Sequence, residues 1–194
     1  MHHIYTTKAI IIKSTPIGEA NRLYFLLTED LGFIKATAQG VRLSKSKLKG
    51  HLQDFCLVNI SVVKGKSTWR ITSVDTIIQE QFIKNIDKLS IIKNIFSLLL
   101  RLLHGEEKNS ELFSTVESSY NYIFKENVSI EDLKNLEIIT VLRILYYLGY
   151  FKTSLELALF VEGNTFSREL FDAIKTKKKQ AILQINTALQ ETHL

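Results

Sequence analysis

The sequence predicts an α+β chain, a small five-stranded β-barrel over residues 1–79 followed by a helical part over 80–194. Three observations predict it. Apolar residues alternate with period two through the first part, and from about residue 80 they recur at three and four. Gly18, Gly32, Gly40 and Gly65 punctuate the alternating part at short intervals, as turns between strands do. One proline and eight glycines in 194 residues leave little chain for long linkers.

The first strand is centred on Ala9-Ile10-Ile11-Ile12 between Lys8 and Lys13, and Pro16 ends it because proline cannot donate to a ladder. Gly18-Glu19 makes a turn in which Glu19 can pair with Arg22. Arg22 to Thr28 forms the second strand, Glu29 to Gly32 the next turn, and Phe33 to Gln39 the third strand. Phe55 to Lys64 is the fourth, with Val58, Ile60 and Val62 on one face. After Gly65 the fifth alternates Trp69, Ile71 and Ser73 against Arg70, Thr72 and Val74. Five strands at this spacing fit the oligonucleotide-binding fold, a partly open barrel.

The helical part opens with Ile83, Ile86, Leu89, Ile92, Ile95, Phe96, Leu99, Leu102 and Leu103 on one stripe, stopped by His104-Gly105. Ser110 caps a second helix carrying Leu112, Phe113, Val116, Tyr120 and Ile123. Ser129 caps a third, with Glu131 and Asp132 in its first turn, running to Leu148-Gly149. Shorter helices follow at 153–161 and from Ser167 onward.

Composition excludes more than it selects. The apolar fraction of 45% and charged fraction of 23% are those of an ordinary globular protein. Cys56 is the only cysteine, so neither an intramolecular disulfide nor a cysteine-based zinc cluster can form. The five histidines are scattered without ligand spacing, and no metal or other cofactor is expected. The apolar run Ile91–Leu103 is too short and too charged to cross a bilayer, and the N-terminus lacks a secretory signal pattern, so a cytoplasmic location is expected. Neither a phosphate-loop lysine motif nor a Ser–His–Asp pattern appears, which argues against an ATP-driven or hydrolytic enzyme. Charge is uneven: 11 cations against 6 carboxylates in residues 1–80, 10 against 13 in 81–172, and 4 against 1 in 173–194.

The basic excess concentrates in the loop Gly40–Gly50, where Arg42, Lys45, Lys47 and Lys49 stand with no acid among them. Several cations on one loop suit phosphate binding, because each neutralised phosphate releases condensed counterions. Ser44 and Ser46 add donors that bring no competing charge. The plain alternative is a solvated loop kept polar for solubility. Arg22 and Lys35 lie on flanking strands, facing either solvent or the binding groove, which the sequence leaves open. Lys64, Lys66 and Arg70 surround a hairpin turn, where cations also serve to protect a sheet edge; Lys66 and Arg70 are kept as DNA-contact candidates. Leu23, Phe25 and Leu27 share one face of their strand and Tyr24 and Leu26 the other, and Tyr24 and Trp69 are the candidates for base stacking. Lys175, Lys177, Lys178 and Lys179 form a second cationic run, a solvated helix face or a weaker phosphate contact.

Ala9–Lys13, Gly18-Glu19-Ala20-Asn21-Arg22 and Thr28-Glu29-Asp30-Leu31-Gly32 resemble, in order and spacing, the opening of the bacterial recombination mediator family RecO. The resemblance continues through Gly40-Val41-Arg42, Lys45-Ser46-Lys47-Leu48, Leu52-Gln53-Asp54-Phe55 and Trp69-Arg70-Ile71-Thr72-Ser73, and resumes at Leu148-Gly149-Tyr150. It implies a DNA-repair protein, without enzymatic activity, acting in the bacterial cytoplasm and at the nucleoid. Such a protein binds single- and double-stranded DNA, anneals complementary strands and helps load recombinase onto coated single strands. The implied partners are RecR and the acidic C-terminal tail of the single-strand-binding protein, for which Lys93, Arg101 and Arg143 are candidate carboxylate partners. Many members of the family carry a four-cysteine zinc module after the Leu-Gly-Tyr element. Here Phe151–Phe166 has no cysteine, so that module is absent or reduced to Glu162-Gly163-Asn164. That departure leaves a rival reading, an interaction adaptor working through the acidic helical part, with DNA binding incidental.

Overall fold

A computed structural model describes residues 3–78, 85–125 and 127–191. The chain divides into two compact units, Met1–Lys84 with Leu103–Ser110, and Asn85–Leu102 with Glu111–Leu194. The expected helix start at Ile83 and the 79/80 boundary lie outside the described residues.

The first unit is a closed five-stranded barrel, β1 (Ile4–Ile17), β2 (Asn21–Thr28), β3 (Gly32–Ala38), β4 (Leu57–Lys64) and β5 (Trp69–Ile78), in the order β1-β2-β3-β5-β4. Its neighbours are antiparallel except β3 and β5, which pair in parallel over Ala36–Trp69 and Thr37–Arg70 alone. The alternation expected of an oligonucleotide-binding barrel is thus realised, with two corrections. β1 runs through Pro16, which sits in register opposite Arg22 at the hairpin end, and a bulge at Ile12 lets the one strand pair with both β2 and β4. In β5 a second bulge leaves Thr72 unopposed between the pairs Val62–Ile71 and Ser61–Ser73. The inward phase therefore switches from Trp69 and Ile71 to Val74, and Ser73 is exposed rather than inward.

Ala9, Ile11, Leu26, Ile34, Ala36, Val58, Ile60, Val62 and Ile71 fill the barrel. Tyr24 and Leu26 are the inward face of β2, while Leu23 and Phe25 are only half-buried. Trp69 and Tyr24, expected as stacking surfaces, are both core residues, 4% and 0% exposed. The Tyr24 hydroxyl donates to the Leu52 carbonyl at 3.4 Å, and burial pushes its pKa up to about 12.

The segment Leu103–Ser110 belongs to this unit although helices flank it. Trp69 Nε1 donates to Glu106 Oε1 at 2.9 Å, Lys64 Nζ donates to Glu106 Oε2 at 2.9 Å, and Lys108 Nζ donates to Asp30 Oδ1 at 2.9 Å. The Glu107 backbone lies against Gly32, where φ is +68° and any Cβ would fall on the Glu107 carbonyl oxygen. Glycine is required there on both counts.

The second unit contains α1 (Ile86–Leu102), α2 (Ser110–Ile123), α3 (Ile130–Tyr147), α4 (Ala158–Val161) and α5 (Arg168–Glu191). Ser129 caps α3 by accepting from the Asp132 amide at 3.0 Å. A left-handed Gly149 (φ +76°) closes it, with Tyr150 N donating to Leu145 O and Gly149 N to Tyr146 O, both at 2.9 Å. The helix expected over 153–161 contracts to α4, and residues 151–157 form no helix. What orders this connection is Arg143, 1% exposed. Its Nε donates to the Phe160 carbonyl at 2.9 Å, both terminal nitrogens donate to the Thr165 carbonyl at 3.2 Å, and its guanidinium lies 4.7 Å from the Phe166 ring centroid. Asn164 completes the attachment with bonds to Ser114, Thr115 and Glu111 of α2.

Candidate nucleic-acid interface

The β3–β4 connection is anchored before it is basic. Val41 and Leu52 are buried in the barrel core, Leu48 packs against it, and Cys56 closes it. Gly40 N donates to Asn21 Oδ1, Arg42 N to the Ala20 carbonyl, and Gln53 Nε2 to the Lys49 carbonyl. His51 Nδ1 lies 2.8 Å from Thr76 Oγ1. With Val41, Leu48 and Leu52 turned into the barrel and Leu43 left exposed, the segment presents its charged residues outward. Arg42, Ser44, Lys45, Lys47 and Lys49 are exposed and Ser46 is half-buried.

The four cations are not equivalent. Arg42 Nη1 donates to the Gly18 carbonyl at 2.7 Å and so ties the loop to the β1–β2 turn. Among the described residues no hydrogen bond or ion pair engages the ammonium groups of Lys45, Lys47 or Lys49. Three unneutralised charges on one anchored loop form a surface that polyanions can neutralise.

The two flanking-strand cations lie on different faces. Lys35 is exposed on the outer wall, its ammonium 5.6 Å from the centroid of Phe25, which in turn stacks on Phe33. Arg22 is half-buried and shares the inward phase of Tyr24, and among the described residues its buried Nε has no hydrogen-bond partner. Arg70 is exposed beside Thr37. Thr37, Lys64, Lys66 and Arg70 line a concavity of about 320 Å³ at the β4–β5 turn, together with Val63, Gly65, Ser67 and Thr68. Apart from Arg22 and Lys35, the candidate cations of the barrel fall into two groups, one on the loop and one around this turn.

The candidates in the helical unit separate just as clearly. Lys93 and Arg101 are exposed on α1. Arg143 is not a surface cation, because burial and its three bonds to backbone carbonyls remove it from any peptide groove. Burial also pulls its pKa down to about 10, which leaves it charged at neutral pH. In the second basic run, Lys175 is paired with Asp172 and Glu131 and Lys177 with Glu156, so part of that charge is internally neutralised. Among the described residues no group of three or more His, Cys, Asp or Glu is placed to hold a metal ion, and no helix is long and apolar enough to cross a membrane.

Residues 1–79 match the family model for the N-terminal domain of recombination protein O. The barrel belongs to the RecO N-terminal family. Curated relatives extend the similarity past it. The chain is 37% identical over 134 residues to the DNA repair protein RecO of Dehalococcoides mccartyi strain 195, covering 69% of this chain and 49% of that protein. It is 46% identical over 88 residues to RecO of D. mccartyi strain CBDB1, covering 45% and 35%. To RecO of Clostridium novyi it is 30% identical over 131 residues, covering 67% and 51%. The chain therefore spans about half the length, or less, of these RecO proteins.

Proposed function

We propose that this chain is a DNA-repair mediator of the RecO type, working by binding rather than by catalysis. The observation that carries the proposal is the basic loop of the RecO-type barrel, held by Val41, Leu48 and Leu52 while Lys45, Lys47 and Lys49 stand uncommitted. Such a surface takes phosphates of either single- or double-stranded DNA with little base preference, since contacts to phosphates carry no sequence information. Once one strand's phosphates are neutralised, a complementary strand approaches without the repulsion two free strands would feel. That is a route to annealing that needs no nucleotide hydrolysis.

The fuller role we propose is the one the family resemblance implies. It comprises help in loading recombinase onto strands coated by the single-strand-binding protein, contact with RecR, and capture of the coating protein's acidic tail. With Arg143 buried, Lys93 and Arg101 are the remaining cations proposed for that tail.

The test is anisotropy of a labelled single strand titrated with the intact chain across a salt series. Engagement of roughly 4 to 6 phosphates gives a log–log slope of about −3 to −4 at the single-strand coefficient. Binding that is weak even at low salt refutes the proposal and favours the adaptor, whose surface is the helical unit.

A further inference from the structure

We infer that the β4–β5 end of the barrel carries a separate subsite for one unpaired nucleotide, its base stacked on Tyr5 and its phosphate held by Lys66 and Arg70. The inference rests on the proposed reading that the barrel holds DNA, and it names a place and a ligand class which the basic loop does not supply.

Tyr5 lies near the start of β1 on the phase that Thr7 and Ala9 turn inward, but it stands at the barrel's end and keeps 38% of its surface exposed. Two rings pack against it in T-shaped pairs: Trp69, with centroids 5.4 Å apart at 86°, and His3, at 4.5 Å and 75°. Trp69 is fixed in turn, since its indole N–H is bonded to Glu106 and the Lys64 ammonium sits 5.2 Å from its ring centroid. A ring held in this way loses little side-chain freedom when a base is laid on it, which is what a stacking platform needs. The buried Trp69 cannot fill that role itself. It is the support, and Tyr5 is the surface.

Phosphate chemistry lies next to the platform. Lys64 belongs to both regions, its ammonium over Trp69 and its chain lining the concavity of about 320 Å³ at the turn. Glu106 neutralises Lys64, but among the described residues no carboxylate pairs with Lys66 or Arg70. Ser67, Thr68 and Thr37 line the same concavity, the Thr37 hydroxyl donating to the Trp69 carbonyl at 3.3 Å. Cations and hydroxyls beside an exposed, braced ring are the two halves of single-strand recognition. Bases inside a duplex are already stacked on both faces, so the platform selects unpaired strands, whereas the loop lysines do not discriminate.

Trp69 is the only tryptophan in the chain, and its place behind Tyr5 makes its fluorescence a local reporter. The experiment titrates the intact chain with an oligo-dT, with an abasic deoxyribose-phosphate strand of equal length, and with a duplex, reading Trp69 emission and anisotropy together. Oligo-dT changes Trp69 emission and the duplex does not. Tyr5→Leu weakens oligo-dT binding about 5- to 150-fold, the range for loss of one stacked base, and leaves duplex and abasic affinities within about twofold. Tyr5→Phe, which keeps the ring, binds oligo-dT as the parent does and controls for folding. Lys66→Ala with Arg70→Ala weakens both oligo-dT and the abasic strand. Unchanged oligo-dT binding in Tyr5→Leu overturns the inference and leaves the loop assignment standing, and an equal loss toward duplex and single strand overturns it as well. Failure of the parent chain to bind any of the three at low salt overturns the DNA reading itself.

Discussion

Replacing Arg143 should produce an order of stabilities opposite to that expected of a surface cation. The side chain is 1% exposed, and burial pulls its pKa down to about 10, a displacement corresponding to about 3 kcal/mol of desolvation cost. Against this stand bonds to two carbonyls, Phe160 and Thr165, and the contact with the Phe166 ring. Leaving two buried carbonyls without donors costs about 1–3 kcal/mol each, and losing the cation–ring contact about 1 kcal/mol. Arg143→Met removes the bonds but also the desolvation cost and keeps most of the volume, for a net loss of about 2 kcal/mol within a span of about 0–4. Arg143→Lys keeps a buried charge, yet one ammonium cannot reproduce a planar guanidinium that serves both carbonyls and lies on Phe166, so it loses about 3–4 kcal/mol. Arg143→Ala adds a cavity and loses about 3–5 kcal/mol. Urea unfolding followed by far-ultraviolet circular dichroism ranks the three. A tolerated Lys together with a strongly destabilised Met would mean that the position is read for its charge, and would refute the buried-clamp account.

Further outcomes follow from the barrel and from α3. Gly32→Ala must move the Glu107 backbone as well as adopt a left-handed conformation, so the stability lost, read from a lowered thermal midpoint, should exceed the about 1–2 kcal/mol of the backbone term alone; an unshifted midpoint contradicts the packing of the Leu103–Ser110 segment. Glu106 and Asp30 both titrate below the usual carboxylate range, chiefly because Lys64 and Lys108, respectively, donate to them. A lowered native pKa stabilises the charged form. This contribution is therefore complete above the ordinary carboxylate range and is lost as the pH falls below about 4. Glu106→Gln with Asp30→Asn should flatten the acid limb of a Trp69-monitored melting profile, and a limb of unchanged steepness counts against these contacts. Ser129→Ala should cost about 1 kcal/mol in urea unfolding through loss of the α3 cap, and no shift there would mean the cap is not formed in solution.

The sequence made the sequence of strands and helices legible because each part keeps one period over many residues. It was less informative wherever both phases of a strand are apolar. In β2 the run Leu23-Tyr24-Phe25-Leu26-Leu27 gives no polar side from which to choose, and only the barrel shows Tyr24 and Leu26 inside. The bulge at Thr72 has no residue signature, so the strict alternation through Ser73 failed half-way along β5. Arg143 read as a surface cation because its partners are backbone carbonyls, which every residue possesses. Glu106 meets Lys64 and Trp69 across 42 and 37 residues, a long-range pairing that local pattern does not reveal. The loop was the most legible part of the candidate site. Its composition singled out the cations, and the structure adds that Val41, Leu48 and Leu52 anchor it and that Arg42 is partly committed to Gly18.

The measurement that bears most directly on DNA binding by that loop is the salt dependence of single-strand affinity for the parent and for a Lys45→Ala, Lys47→Ala, Lys49→Ala variant. Three lysines that each neutralise one phosphate account for about 2 units of log–log slope at the single-strand coefficient. Because all three are exposed, the variant should fold as the parent does. The account predicts a slope shallower by about 2 with reduced affinity at every salt concentration. An unchanged slope and affinity would contradict it.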